Sequence, residues 1–136
     1  EVHGYLSWYD TQVSVLREGR EREFLGWMAP GFKLFSVSRA FASAFAGTDR
    51  VEMTTSMHGS PRAIVPMGYY EKVMPFDIAP TFLLRKLVAG DLEGSEQLGC
   101  LELVEEDLAL CSFVDPGKHD FGSILRARLT EIEKEG

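Results

Sequence analysis

The chain contains, at residues 99–118, the stretch Gly99-Cys-Leu-Glu-Leu-Val-Glu-Glu-Asp-Leu-Ala-Leu-Cys-Ser-Phe-Val-Asp-Pro-Gly-Lys118. Its acidic residues cluster near the start, and carboxylates favour the positive N-terminal end of a helix. Pro116-Gly117 is a turn signal, because Pro presets φ and Gly accepts a positive φ. We therefore predict one helix over residues 101–113 that ends in a tight turn.

Helical patterns flank this stretch on both sides. Before it, Asp77 is a candidate N-cap, Pro80 falls in the first turn, and Gly90 is a stop signal. A short helix over residues 92–98 follows. The last segment, residues 120–135, has one apolar face made of Phe121, Ile124, Leu125, Leu129 and Ile132. Successive helices of this length predict a C-terminal helical bundle, with a core that includes Leu87, Leu108, Leu125 and Leu129.

The first half of the chain has a different pattern. Residues 1–28 contain three short alternating or aromatic segments, at 5–9, 12–16 and 23–27, which predict β-strands. Ser36 or Ser38 can cap a helix that runs to Phe45. Prolines and glycines dominate residues 51–75 and exclude a long helix there, although a short one fits at 68–72.

The predicted fold class is therefore α+β, in three parts. Residues 1–30 form a β-rich segment, residues 31–76 an irregular linker region with one short helix, and residues 77–136 a helical domain. A strand at 12–16 begins so close to the first residue that it lacks upstream partners, which suggests a piece of a longer protein. The alternative is an ordinary N-terminal strand that pairs with residues 24–27 across the turn at Glu18-Gly-Arg20.

Charge and composition exclude several partners. The chain has 14 basic and 21 acidic residues, so it would repel nucleic acid and anionic lipid. No uncharged run approaches the ~20 residues of a spanning helix, so we expect no direct membrane span. The two cysteines are too few for a disulfide framework, and we interpret them as reduced thiols in a cytoplasmic protein.

Cys111 stands four residues before Asp115 and the following Pro-Gly-Lys turn, a spacing that looks like half of an iron–sulfur ligand loop. A cluster needs three or four converging thiolates, and here Asp115 occupies the place of the second cysteine. We interpret the pair as a degenerate remnant, with Cys111 as a small buried apolar residue.

Other chemical sites find little support. His3, His58 and His119 lie far apart and lack zinc-ligand spacing, so we predict no metal. No dinucleotide fingerprint, phosphate loop or nucleophile elbow is present, so we predict no catalytic residue.

The aromatic residues Phe24, Trp27 and Phe32 are candidates for a pocket that holds a flat apolar ligand such as a quinone. The favoured alternative for them is core packing or an interface with another protein chain.

Several segments, in one order along nearly the whole chain, resemble a single family. They are Gln12-Val-Ser-Val-Leu-Arg-Glu-Gly-Arg-Glu-Arg-Glu-Phe-Leu-Gly-Trp-Met-Ala-Pro-Gly31, Arg62-Ala-Ile-Val-Pro-Met-Gly-Tyr-Tyr-Glu-Lys-Val-Met-Pro-Phe-Asp-Ile-Ala-Pro80, Leu98-Gly-Cys-Leu-Glu-Leu-Val-Glu-Glu-Asp-Leu-Ala-Leu-Cys111 with Pro116-Gly-Lys118, and Leu129-Thr-Glu-Ile-Glu-Lys-Glu-Gly136. The family is the A subunit of the bacterial Na+-translocating NADH:quinone oxidoreductase.

This resemblance implies the C-terminal third or so of a longer polypeptide, with residues 1–30 as the end of a ubiquitin-like (SLBB, β-grasp) domain. It implies a peripheral role at the cytoplasmic face of the bacterial inner membrane, docked on the other subunits of the enzyme, especially the membrane-embedded B subunit. The role is in assembly and in quinone binding, with no redox cofactor in this fragment. The enzyme is an oxidoreductase, but the fragment alone is expected to be non-catalytic.

The resemblance leaves two alternatives. The family is similar to the C subunit of the Rnf complex and to the NADH-binding subunit of complex I, whose helical domains hold iron–sulfur clusters. An electron-transfer module of that type is one alternative, although Asp115 departs from the family's Cys-x3-Cys-Pro-Gly-Lys remnant. A plain protein-interaction domain is the other.

Overall fold

The structure is a computed structural model that describes residues 11–21, 24–37, 39–45 and 51–135. The chain divides into two compact units, Glu1–Met57 and His58–Gly136. We describe each unit by itself.

In the described part of the first unit, backbone bonding is sparse. An isolated parallel bridge joins Arg17 to Thr54, and Gly19 N donates to Thr55 Oγ1 at 3.0 Å. Residues 12–16, predicted as a strand, carry no strand, and the exposed side chains of Val13 and Val15 cover no sheet neighbour. Residues 24–27 enter a 3₁₀ turn, Gly26–Met28, instead of the predicted strand. The predicted segment 5–9 lies outside the described residues. The structure therefore does not show the β-rich start.

In the middle of this unit, the chain folds back on itself beside Gly31, so that Pro30 lies next to Ala42. Gly31 has φ +71°, and a Cβ there would lie 2.7 Å from the Phe41 ring, so glycine is required on both counts. Ala42 N donates to Pro30 O at 2.8 Å. The helix predicted from Ser36 to Phe45 is wrong for the described residues: Phe41 is extended, and only the 3₁₀ turn Ala42–Ala44 forms. Ser38 lies outside the described residues.

The second unit is helical over its described residues. Its α-helices are α1 (Tyr70–Val73), α2 (Pro80–Ala89), α3 (Leu92–Gln97), α4 (Ala109–Val114) and α5 (Phe121–Glu135). Two 3₁₀ turns, Cys100–Glu102 and Glu105–Leu108, connect α3 to α4. The predictions of a C-terminal helical domain and of a short helix near residues 68–72 are thus confirmed.

Helix α2 begins and ends where its sequence signals stand. Pro80 occupies the first turn, where its missing N–H leaves no hydrogen bond unmade, and Gly90 closes the helix in the left-handed conformation with φ +74°. Asp77, however, is not the cap, because Ala79 stands at that position and no side chain caps the helix. Phe82 is 63% exposed on this helix, whereas Leu83 and Leu87 are buried.

The long helix predicted over residues 101–113 is wrong. Leu103 and Val104 are extended and separate the two 3₁₀ turns. Val104 N donates to Asp107 Oδ2 at 2.9 Å, so an acidic side chain expected to lie inside the helix instead bonds the backbone at a new helical start.

One apolar core holds the second unit together, and α5 packs against α2, α4 and the turn Glu105–Leu108. Of the predicted core leucines, Leu87, Leu108 and Leu125 are fully buried, and Leu129 is partly buried against the core. The buried apolar residues are Tyr70, Leu83, Leu84, Leu87, Cys100, Leu103, Leu108, Cys111, Val114, Phe121 and Leu125.

No helix among the described residues is both long enough and apolar enough to cross a bilayer.

Candidate functional site

The turn that follows α4 is built around the carboxylate of Asp115, whose side chain has no exposed area. Its Oδ1 accepts hydrogen bonds from Tyr70 Oη at 2.6 Å and from Gly117 N at 2.9 Å. Its Oδ2 accepts from His119 N at 2.8 Å and lies 2.7 Å from His119 Nδ1. Four short contacts satisfy both oxygens, as a buried charge requires.

These contacts also set the ionisation of the carboxyl group. Burial by itself would raise the pKa of Asp115, but the donors on Tyr70, His119 and Gly117 together outweigh it and lower that pKa below its ordinary value. Asp115 is therefore an anion at neutral pH, and its charged oxygens bond to donors inside the protein.

Aromatic rings support the partners of Asp115. The His119 ring stacks on Phe121, with centroids 5.4 Å apart and planes 17° apart. Tyr70 meets the same Phe121 ring edge-on at 5.9 Å. Burial, and then the hydrogen bond to Asp115, raise the pKa of Tyr70, so its hydroxyl keeps its proton and remains a donor. The arrangement is a closed, self-satisfied cluster.

Of the two residues of the predicted remnant, Cys111 lies within α4 and Asp115 directly follows that helix. Cys111 is fully buried there, as predicted. Burial, with a smaller contribution from the charge of Glu71, raises the pKa of its thiol to about 11. Burial also raises the pKa of Cys100, followed in size by the charge of Glu96. Both groups are neutral thiols at neutral pH, and a neutral thiol is a poor nucleophile and a poor ligand.

These residues do not fit an iron–sulfur cluster. Ligation needs several thiolates that converge on the iron atoms. The sequence has two cysteines, fewer than a cluster needs, and both Asp115 oxygens already accept hydrogen bonds. The Asp115 carboxylate instead holds the turn closed.

Sequence reasoning missed two members of this cluster. His119 stands beside Asp120 in the sequence and looks like part of a helix start, but it pairs with Asp115. Asp120 Oδ2 instead accepts a hydrogen bond from Ser123 Oγ at 2.6 Å. The spacing of Asp115 and His119 across a Pro-Gly turn was the available signal. Tyr70 lies 45 residues from Asp115 in sequence and carried no local signal.

The predicted quinone-pocket residues lie in the first unit. Phe24 is 93% exposed and Phe32 is also exposed, while Trp27 stands in the 3₁₀ turn Gly26–Met28, its side chain outside the described residues. Their assignment to a pocket stays a prediction.

No protein-family model matches the chain. Curated relatives, however, match it from end to end, and they belong to one class, the subunits of an ion-translocating oxidoreductase. The Na(+)-translocating NADH-quinone reductase A subunit of Tolumonas auensis is 58% identical over all 136 residues. Those of Psychromonas ingrahamii and Rhodopirellula baltica are 58% identical over 135 and 134 residues.

The chain covers about 30% of the length of each of these relatives. The family resemblance found in the sequence is therefore confirmed: the chain is similar, over its whole length, to one part of the A subunits of Na(+)-translocating NADH-quinone reductase.

Proposed function

We propose that this chain is a peripheral, cofactor-free part of such an A subunit, and that it contributes to quinone reduction coupled to sodium export through assembly of the enzyme. The observation that carries the proposal is the 58% identity over the whole chain to the A subunits of three bacteria. Its partners are the other subunits, especially the membrane-embedded B subunit, at the cytoplasmic face of the inner membrane.

The chemistry of the Asp115 turn supports a structural role. The tyrosine hydroxyl and the imidazole both bond to the carboxylate, and both thiols are buried and protonated. Redox or nucleophilic chemistry needs an accessible reactive group, and these groups are either hydrogen-bonded to Asp115 or buried. We therefore expect the isolated chain to oxidise no NADH.

Exposed apolar side chains on α4 support contact with a partner. Leu110 is 56% exposed, and Phe113, three residues further along the same helix, is also exposed. Residues at this spacing are neighbours on a helix surface. Aromatic and aliphatic residues of this kind are typical of the centres of interfaces between proteins.

The test uses the complete enzyme, produced from its intact operon with the matching substitution in the A subunit. Leu110→Glu places a charge on the exposed face of α4. We expect it to reduce recovery of the A subunit with the membrane subunits and to reduce quinone reduction in proportion. NADH oxidation with an artificial acceptor should survive, because electrons enter through another subunit.

Gln97→Glu is the matched control, since it adds the same charge at an exposed helical position on α3. It should leave both activities unchanged. Equal loss in the two variants, or loss of both activities in an enzyme that still contains the subunit through which electrons enter, would contradict the assignment of roles.

A contribution to quinone binding is the second part of the proposal, and the exposure of Phe24 and Phe32 favours it. Phe24→Ala should raise the KM for quinone with little change in kcat and in recovery of the complex. Unchanged KM would remove Phe24 from the quinone site. The iron–sulfur alternative has a direct test: a brown chain with stoichiometric iron would overturn the cofactor-free proposal.

A further inference from the structure

A shallow groove of about 260 Å³ opens on the second unit, beside the Asp115 turn. One wall is formed by α2, on which Arg85 lies one turn before Val88 and Ala89. Arg62 N donates to Gly117 O at 2.8 Å and so fixes the segment before α1 against the turn. The lining residues are Ala63, Ile64, Arg85, Val88, Ala89 and His119.

One cationic side chain, Arg85, lines this groove, although the chain carries a net charge of −7. Within the described residues, Arg85 forms no ion pair. The nearest acid in the turn, Asp115, is buried and bonded internally. The residues that line the groove therefore include one arginine and no carboxylate.

His119 adds a positioned hydrogen-bonding group. Its Nδ1 is held 2.7 Å from Asp115 Oδ2 and its ring is stacked on Phe121, so the imidazole cannot turn. The ring nitrogen left for a ligand is Nε2. A ring N–H at Nε2 can donate a hydrogen bond to an oxygen of a bound anion.

The rest of the lining is apolar, from Ile64, Val88 and two alanines. We propose that this groove binds a small carboxylate with a compact apolar body. The carboxylate lies between Arg85 and His119 Nε2, and the apolar body lies on Ile64 and Val88. The volume is below the range of drug-sized pockets, which limits the ligand to a small one. This inference goes beyond the proposed role in the enzyme and does not depend on it.

The test is an amide NMR titration of the 136-residue chain with benzoate. Benzoate should shift the amides of Ala63, Ile64 and Ala89 with a millimolar dissociation constant. Benzamide, which has the same shape without the charge, should bind about tenfold more weakly or not at all, because it lacks the charge-assisted bonds. Inorganic phosphate, which has the charge without the apolar body, should also bind more weakly.

Two variants complete the test. Arg85→Gln should weaken benzoate binding about tenfold or more, since it removes the unpaired cation. Arg126→Gln is the control, because it removes an equal charge from an arginine that pairs with Glu105. It should leave the affinity unchanged.

Equal binding of benzamide and benzoate, equal loss in both variants, shifts that map elsewhere, or no shift at millimolar benzoate would each overturn the proposal. Phosphate that binds as tightly as benzoate would overturn its apolar half. None of these outcomes bears on assembly of the enzyme, so failure here is distinct from failure of the proposed function.

Discussion

Asp91 and Asp115 each adjoin a short helix, but the fold uses them differently. Asp91 precedes α3, and its Oδ1 accepts from Gly94 N at 2.9 Å in an ordinary N-cap, while its other oxygen meets Lys86. Its side chain is 39% exposed. Asp115 follows α4, has no exposed side-chain area, and bonds Tyr70 from 45 residues away as well as its own turn.

This difference shows what sets the contribution of a carboxylate. An exposed cap contributes a modest local bond, and water can replace much of it. A buried carboxylate is costly without donors, so the donors around Asp115 and the carboxylate depend on each other. Removal of one partner should therefore cost far more at Asp115 than at Asp91.

The largest expected effect is that of Asp115→Ala. It removes the acceptor for one hydroxyl, one imidazole and two backbone N–H groups in a buried place, so we expect a loss of about 3–5 kcal/mol in the free energy of unfolding. Asp91→Ala is the control and should cost distinctly less, because it removes an exposed helix cap. Urea unfolding measures both. Equal costs for the two variants would show that the Asp115 cluster adds nothing beyond a cap.

Tyr70→Phe should have the next largest effect. It keeps the ring on Phe121 but removes the hydroxyl that donates to Asp115, and a hydrogen bond to a charged group contributes about 1.5–3 kcal/mol. Tyr69→Phe is the matched control, because Tyr69 is only half-buried and the substitution keeps the ring that contacts Lys72. It should change stability by less than about 0.5 kcal/mol. A loss of similar size in both variants would mean that the hydroxyl of Tyr70 is not the cause.

The same contrast explains what the sequence could predict. The ends of α2 and the register of α5 follow from neighbouring residues, since Pro80, Gly90 and the apolar spacing from Phe121 act within a few positions. The burial of Cys111 follows from its apolar neighbours. All of these signals are local.

The errors arose where tertiary contacts override local preference. The acidic run after Gly99 predicts one helix, but Leu103 is drawn into the core and Asp107 bonds Val104 N, so the chain starts a second turn there. In the sequence, Asp115 stands at the position where an iron–sulfur loop would have its second cysteine. Its actual partner, Tyr70, could not be found because no local pattern links residues so far apart.

The contributions of the two aspartates to stability should also differ in their dependence on pH. The pKa of Asp115 is lowered in the folded chain, so its contribution to stability is fully present above the unfolded value of about 3.9 and is lost as the pH falls through the folded value. The pKa of Asp91 is lowered too, first by its bond with Lys86, but salt screens that exposed pair.

We therefore expect wild-type stability to fall below about pH 4 even at high salt. The decrease should be shallower in Asp115→Ala and unchanged in Asp91→Ala. Urea unfolding at a series of pH values in concentrated salt measures this slope. Parallel curves for wild type and Asp115→Ala would show that the Asp115 pKa is not lowered in the folded chain.

The smallest expected effect is at Asp91→Asn, and it tests the comparison most sharply beside Asp115→Asn. An asparagine caps a helix as well as an aspartate, and the exposed bridge to Lys86 contributes little, so Asp91→Asn should leave stability nearly unchanged. Asp115→Asn puts an amide N–H₂ where donors already converge from Tyr70, Gly117 and His119, so at least one buried donor then faces another donor. That variant should lose about 1–3 kcal/mol. Similar results for the two asparagine variants would mean that Asp115 needs only the shape of a carboxylate, and that its buried charge contributes nothing to the turn.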